Sequence, residues 1–242
     1  RSTLFPYTTL FRSASCWVNG VNGYNEPHPL AEGIVTADID MSSDNHYWIP
    51  IGEHNSIGTT LPYKGTFNGN GHVITGLQID DGMIEDWGLF GAIAEDAYIH
   101  DVYVNVCSFT KDTRGSVGIV VGKMLGGTVE NCTSGGTIVT TSSDCVVGGL
   151  VGKVVSTTVG EETYHGTIHS SYAGTNLTGY QMGGLVGDLA EDCSIYNSFA
   201  NVSFTAQSNN TAYMGGLVAV NQGHVENCYA HLRGNVPSGN FG

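Results

Sequence analysis

Five short segments of the chain repeat one another, and this repetition constrains the fold more than any other feature. They are WGLFG at 87–91, GIVVG at 118–122, GGLVG at 148–152, GGLVG at 183–187 and GGLVA at 215–219. Their last positions lie 31, 30, 35 and 32 residues apart. A second block follows each segment: YIHDVY, TVENCT, TIHSSY, SIYNSF and HVENCY. A looser β-prone stretch completes each unit. Short strands separated by Gly, Asn, Ser and Asp form a turn-rich β pattern, and no stretch offers a good helical period over a dozen residues. The recurring glycines Gly88, Gly91, Gly118, Gly122, Gly149, Gly152, Gly184, Gly187 and Gly216 read as corners, where a strand bends or two backbones approach closely.

A repeat of this length with three short strands predicts one coil of a right-handed parallel β-helix, an all-β solenoid of about 30 residues per coil. Blades of a β-propeller need roughly 40 to 50 residues, so the units are too short for one. Stacked coils place equivalent residues in columns. Ile99, Val129, Ile168, Ile195 and Val225 form an aliphatic column expected inside. Asp101, Asn131, Ser170, Asn197 and Asn227 form a polar column, where stacked amides are expected to bond coil to coil. Tyr103, Thr133, Tyr172, Phe199 and Tyr229 form a mostly aromatic one, read as packing between coils.

The division expected is threefold. Residues 1–13 (RSTLFPYTTLFRS) are set aside, because 3–13 resemble the translation of a DNA-sequencing adapter. Residues 14–86 are expected to form one or two irregular coils. Residues 87–242 carry five repeats and are expected to stop in mid-array, leaving an open, aggregation-prone edge. The stretch 156–166 inserts residues into the third unit and reads as a loop at a corner.

These motifs resemble the GLUG-motif repeat proteins, named for a G-L-aliphatic-G segment, here at Gly88, Gly149 and Gly184. The block I-x-N-C/S-Y of that family is matched by VENCT, IYNSF and VENCY. Its lead-in is matched by the strand at 38–41, by WIPIG at 48–52 and by FNGNGHVITGL at 67–77. GIVVG lacks the Leu, and the last copy ends in Ala219. The resemblance implies a bacterial secreted or surface-anchored protein, often adhesin-like, with a peptidase or other catalytic domain elsewhere in some members. It implies no catalytic role for the repeats themselves.

Composition narrows the chemistry. Eight basic residues face 22 acidic ones, a formal charge of −14, or −16 once Arg1 and Arg12 are set aside. Duplex nucleic acid is a poor partner, since its phosphates need Lys and Arg. No run of 18 apolar residues occurs, so no membrane-inserted helix is expected. Gly is 35 of 242 residues and charged residues are 12%, about twice and half the usual shares. Hydrolase, phosphate-loop and dinucleotide signatures are missing, and no catalytic residue is assigned. Six cysteines lie at 16, 107, 132, 145, 193 and 228 without a C-x-x-C. Most read as small buried residues; Cys145 with Cys107 or Cys193 is the pairing left open. Cys132 and Cys228 share a column three coils apart, too far to bond.

The acids Asp38, Asp40 and Asp44, then Asp80, Asp81, Glu85 and Asp86, read first as solvated turns. The sharper reading of the first trio is a Ca²⁺ site; no other metal and no cofactor is expected. His165 and His169 straddle Gly166 and do not read as a shared metal face. Lys123 and Lys153 stack, with Asp188 next in the column. The function expected is a non-catalytic extracellular or cell-surface repeat region serving as adhesive surface or stalk. Its expected partners are neighbouring repeats and a host or cell-surface protein or glycan. The alternative is part of a carbohydrate-active β-helix enzyme, a polysaccharide lyase or hydrolase, for which carboxylates must converge beside a basic residue.

Overall fold

The structure, a computed structural model, describes residues 3–5, 8–42, 46–52, 61–80, 84–207, 212–234 and 240–241. The chain is a parallel β-solenoid of about 6 turns with about 30 residues per turn. Among the described residues three sheets wrap the core, of eleven, seven and six strands, called here the first, second and third sheets. One coil runs from Gly115–Gly118 in the third sheet to Val121–Glu130 in the first and Thr133–Thr140 in the second. The next coil repeats this path from Cys145–Gly148.

The three faces are cut from the sequence differently from the expectation. The L-V-G block and the I-x-N block lie along one first-sheet strand in Phe90–His100 and again in Val121–Glu130. The third face comes from the residues just before the glycine pair, such as Gln181–Gly183. Those strands are three or four residues long and buried at most positions, so they carry no alternation to read.

The glycine pair turns the corner from the third sheet into the first. A Cβ on Gly184 would collide with the carbonyl oxygen of Gly216 in the next coil, and one on Gly187 would sit 2.6 Å from Gly152 O. Only a residue without a side chain lets the coils approach there. Trp87 pairs with Val117 and Phe90 with Val121. The first corner is therefore one residue shorter, and Trp87 precedes the glycine column instead of standing in it.

The aliphatic column holds in register throughout: Ile99 pairs with Val129, Val129 with Ile168, Ile168 with Ile195, and Ile195 with Val225. The first four are fully buried, each contributing about 1.5–3 kcal/mol of apolar transfer. Phe67 extends the column below.

A second column runs beside it through Cys132, Ser171 and Ser198, which are buried, to the partly buried Cys228. The Cys132 N–H donates to Ser171 Oγ at 3.1 Å, Ser171 N–H to Ser198 Oγ at 3.0 Å, and Ser198 N–H to Cys228 Sγ at 3.4 Å. Each Oγ–H in turn donates to the carbonyl two residues back, Ser171 to His169 and Ser198 to Tyr196. Buried amides must be paired, and a small hydroxyl or thiol does that here. This explains the alternation of Cys and Ser in the motif. All six cysteines are free thiols, and burial pushes Cys107 and Cys132 up to about 12.

The N-terminal end departs most from expectation. Residues Thr8–Asn19 form a helix, although no helical period was read in the sequence. Phe11, Ala14, Ser15 and Val18 recur at three- and four-residue spacing and are buried. The period was missed because half of it lies in the segment set aside. Phe11 stacks on Trp48 at 4.8 Å. Asn19 donates to Pro50 O at 2.8 Å and accepts from Gly52 N–H at 2.9 Å. The helix thus lies on the WIPIG segment and closes that end of the core. Above it Gly33–Val35, Ile39–Asp40, Thr66–Asn68 and Val73–Thr75 complete the irregular coils.

Candidate functional site

The insertion of the third unit is a two-stranded antiparallel hairpin, Thr157–Val159 with Glu162–Tyr164. It turns at Gly160 with φ 66°. At its base Ser156 Oγ lies 3.1 Å from His165 Nδ1 and donates to Glu191 O at 2.8 Å. The serine proton is committed to a carbonyl, so this pair is a clasp and not an activated nucleophile. His169 lies apart from it, on the first sheet.

The richest outward surface is the ridge where the first sheet bends into the second. At the bend Asp101, Asn131, Ser170, Asn197 and Asn227 all have positive φ, between 49° and 55°. This left-handed conformation costs most residues about 1–2 kcal/mol, while Asn and Asp tolerate it. Conformation, more than amide ladders, selects the column. The one ladder bond runs from Asn131 Nδ2 to Asp101 Oδ1 at 2.5 Å. Asn197 and Asn227 show no side-chain hydrogen bond among the described residues.

On the first-sheet side of the bend, His100, Glu130, His169, Tyr196 and Glu226 stand in one outward column. Tyr98 donates its hydroxyl to Glu130, which with burial pushes the phenol up to about 12. His169 Nε2 lies 3.6 Å from Glu130 and its ring stacks on Tyr196 at 4.8 Å. His100 Nδ1 lies 2.7 Å from Asp101, whose carboxyl is held below its ordinary value chiefly by that bond. On the second-sheet side Tyr172 lies tilted against Phe199 at 4.4 Å, and Phe199 stacks on Tyr229 at 4.9 Å. They face outward, since their neighbours Ala173 and Ala200 are the buried positions. With Tyr103, which pairs with Thr133 in the same column as Tyr172, one corner therefore gathers five of the twelve tyrosines with two histidines and the acids Asp101, Glu130 and Glu226.

The remaining acids do not converge. Glu85 pairs with Arg114 at 2.6 Å, Glu95 with Lys64 at 2.5 Å, and Asp188 with Lys153 at 2.9 Å. Lys123 and Lys153 do stand side by side in the sheet, with Asp188 next. Asp38 accepts from Val73 N–H at 3.0 Å and faces His72 at 3.1 Å. Asp40 accepts from Ser42 N–H at 2.9 Å. The Val73 bond and His72 hold the Asp38 carboxyl below its ordinary value, and the Ser42 side chain with its N–H does the same for Asp40. They brace turns; Asp44 and Asp81 lie outside the described residues. Among the described residues no three His, Cys, Asp or Glu are grouped as for a metal ion.

Asp86 is a correction: expected on a solvated turn, it is buried. Its carboxyl accepts Ser116 N–H at 3.1 Å. Burial raises its pKa, partly offset by Lys123. Lys111 is likewise buried, donating to Ile84 O at 3.0 Å with its ammonium 4.4 Å from the Trp87 ring centre. Its column neighbour Thr140 gave no hint of either.

No family model matches the chain. Over 125 residues it is 32% identical to Halomucin of Haloquadratum walsbyi (strain DSM 16790 / HBSQ001), covering 50% of this chain and 1% of that protein. A crystal structure from Bacteroides ovatus, described as a candidate immunoglobulin A1 protease, superposes with a TM-score of 0.62 at 21% identity. It covers 95% of this chain and 75% of that one. A structure described as an IgA1 protease superposes with a TM-score of 0.56 at 16% identity, over 98% of this chain and 21% of that one. The chain thus spans about one hundredth of the curated relative it matches. Both structural likenesses show the β-solenoid fold.

Proposed function

We propose that the chain is a non-catalytic GLUG-type repeat region of a secreted or cell-surface protein, presenting its tyrosine-rich ridge to a glycan or surface protein. The observation that carries this reading is the ridge itself, where aromatic, histidine and acidic groups recur on one corner of successive coils. Aromatic rings with polar edges suit such contacts, and a solenoid repeats them along one line. The separate pairing of Glu85, Glu95 and Asp188 with one base each, and the use of Asp38 and Asp40 in turns, supports a surface role over hydrolysis, which needs carboxylates facing one another. The likeness to a halomucin segment and to solenoids in proteins described as IgA1 proteases supports an extracellular setting.

The test is binding of the purified chain to immobilised mucin and to a glycan array, with viscometry of polysaccharide solutions in parallel. Retention that falls in Tyr196→Ser and Tyr172→Ser but not in Thr178→Ala is the expected result. Loss of viscosity with time would replace this reading by the polysaccharide-degrading one.

A further inference from the structure

We propose that the outer face of the second sheet is a trough for a neutral, linear polysaccharide that runs along the solenoid axis, one sugar ring to a coil. The inference rests on reading the ridge as a glycan-binding surface, and it names the class of glycan. Four strands build the face: Tyr103–Lys111, Thr133–Thr140, Tyr172–Gly179 and Phe199–Ala206. Lys111 is their only charged residue, and it is buried. The chain has a formal charge of −14, yet this face carries none.

The trough follows from glycine. Gly135 and Gly174 stand side by side and leave a floor without side chains. A Cβ on Gly174 would lie 2.5 Å from Tyr172 Oη, so the Tyr172 ring leans over that floor. Tyr172 and Phe199 form one wall. Thr137, Asn176 and Ser203, paired in register, form the other.

Three carboxamides line it in fixed orientations. Asn105 Oδ1 accepts from Val106 N–H at 2.9 Å. Asn176 Oδ1 accepts from Ser203 Oγ–H at 2.6 Å and from Arg233 Nη2 at 3.1 Å. Asn201 Oδ1 faces His231 Nδ1 at 3.1 Å. With each oxygen engaged, each Nδ2 keeps its N–H donors for a ligand, and none bonds elsewhere among the described residues. Amide donors, hydroxyls and an aromatic wall without charge suit a polyol. All four strands are interior to their sheet, so their backbone groups are paired between coils and a peptide cannot add as a strand. An anionic polymer is repelled by the net charge, and a cationic one is drawn to Glu130 and Glu226 across the bend. Coils recur at about 4.8 Å, close to the advance of one pyranose in an extended β-linked chain, so successive rings meet equivalent groups.

Calorimetric titration of the full chain with linear β-linked gluco-, manno- and xylo-oligosaccharides of graded length tests the proposal, with polygalacturonate as the anionic control. At least one neutral series should bind, tightening with each ring until the four coils are spanned and then levelling, while polygalacturonate should not bind. Asn176→Ala and Asn201→Ala should each weaken binding about fivefold. Gly174→Thr, which fills the floor, should abolish it. Circular dichroism checks that all three variants fold. Absence of binding by every neutral series, equal binding of polygalacturonate, or asparagine variants that bind as wild type would overturn the proposal. It falls alone if retention on mucin still depends on Tyr172 and Tyr196, and together with the ridge reading if that dependence is absent too.

Discussion

Replacing Asn197 separates the two explanations of the polar column. If the side-chain amide matters, Gly and Ala should be equally harmful. If the backbone matters, Gly should be tolerated and Ala should not. Asn197 has φ 52° and no side-chain hydrogen bond among the described residues. Ala in that conformation costs about 1–2 kcal/mol, and a β-branched Val more. Gly pays no such strain and loses only about 0.4–1 kcal/mol through the freer unfolded chain. For a chain of this size 1 kcal/mol shifts the midpoint by about 2–4 °C. The expected order of stability is therefore Asn, then Gly, then Ala, then Val. Asn131 is the internal control, since its amide also reaches Asp101. There Gly should cost about 1 kcal/mol more than at 197. Urea unfolding followed by both circular dichroism and fluorescence provides the measurement, with coincident transitions as the check on two-state behaviour. If Asn197→Gly is as damaging as Asn197→Ala, the conformational explanation fails.

Other consequences concern single positions. Among the described residues the buried Thr175 hydroxyl has no hydrogen-bond partner, so Thr175→Val should raise stability by about 1 kcal/mol, read as a higher midpoint. Val106 is a β-branched residue at φ 53° and 69% exposed; Val106→Asn should stabilise by about 1 kcal/mol by relieving that strain. Because burial raises the Asp86 pKa, folding favours its neutral form. Its cost is absent at low pH and grows as pH rises from the ordinary carboxylate range through the raised value. Asp86→Asn should therefore match wild type near pH 3 and become the more stable of the two towards neutrality, compared by thermal melts across that range. An unchanged difference at all pH values would remove the titration of Asp86 as the cause.

The columns show how far the sequence could be read. Ile99 through Val225 and Tyr103 through Tyr229 were legible because each holds a constant place, second or last, in the six-residue block that follows the glycine segment, and stacking brings those blocks into register. The third sheet was not, since Cys145–Gly148 and Gln181–Gly183 are too short and too evenly buried to show a period of two. The helix Thr8–Asn19 escaped because its apolar stripe crosses position 13, where the adapter-like stretch ends. At the ridge, the residue types were legible but not their company. That His169 lies between Glu130 and Tyr196 follows from register across coils, which residue spacing gives only once the turns are fixed. Asp86 and Lys111 were invisible as buried groups, because each stands in a column whose other members are uncharged.

The stacking itself can be measured. Thr66, Tyr98, Thr128, Thr167, Ser194 and His224 occupy one column by successive pairings. Spin labels at Thr66 and, in turn, Thr167, Ser194 and His224 report its length by pulsed electron resonance. The solenoid predicts backbone separations of about 14, 19 and 24 Å, rising by one strand spacing per coil whatever the number of intervening residues. Distances that fail to rise in equal steps, or that close back on themselves between Thr66 and His224, would contradict it.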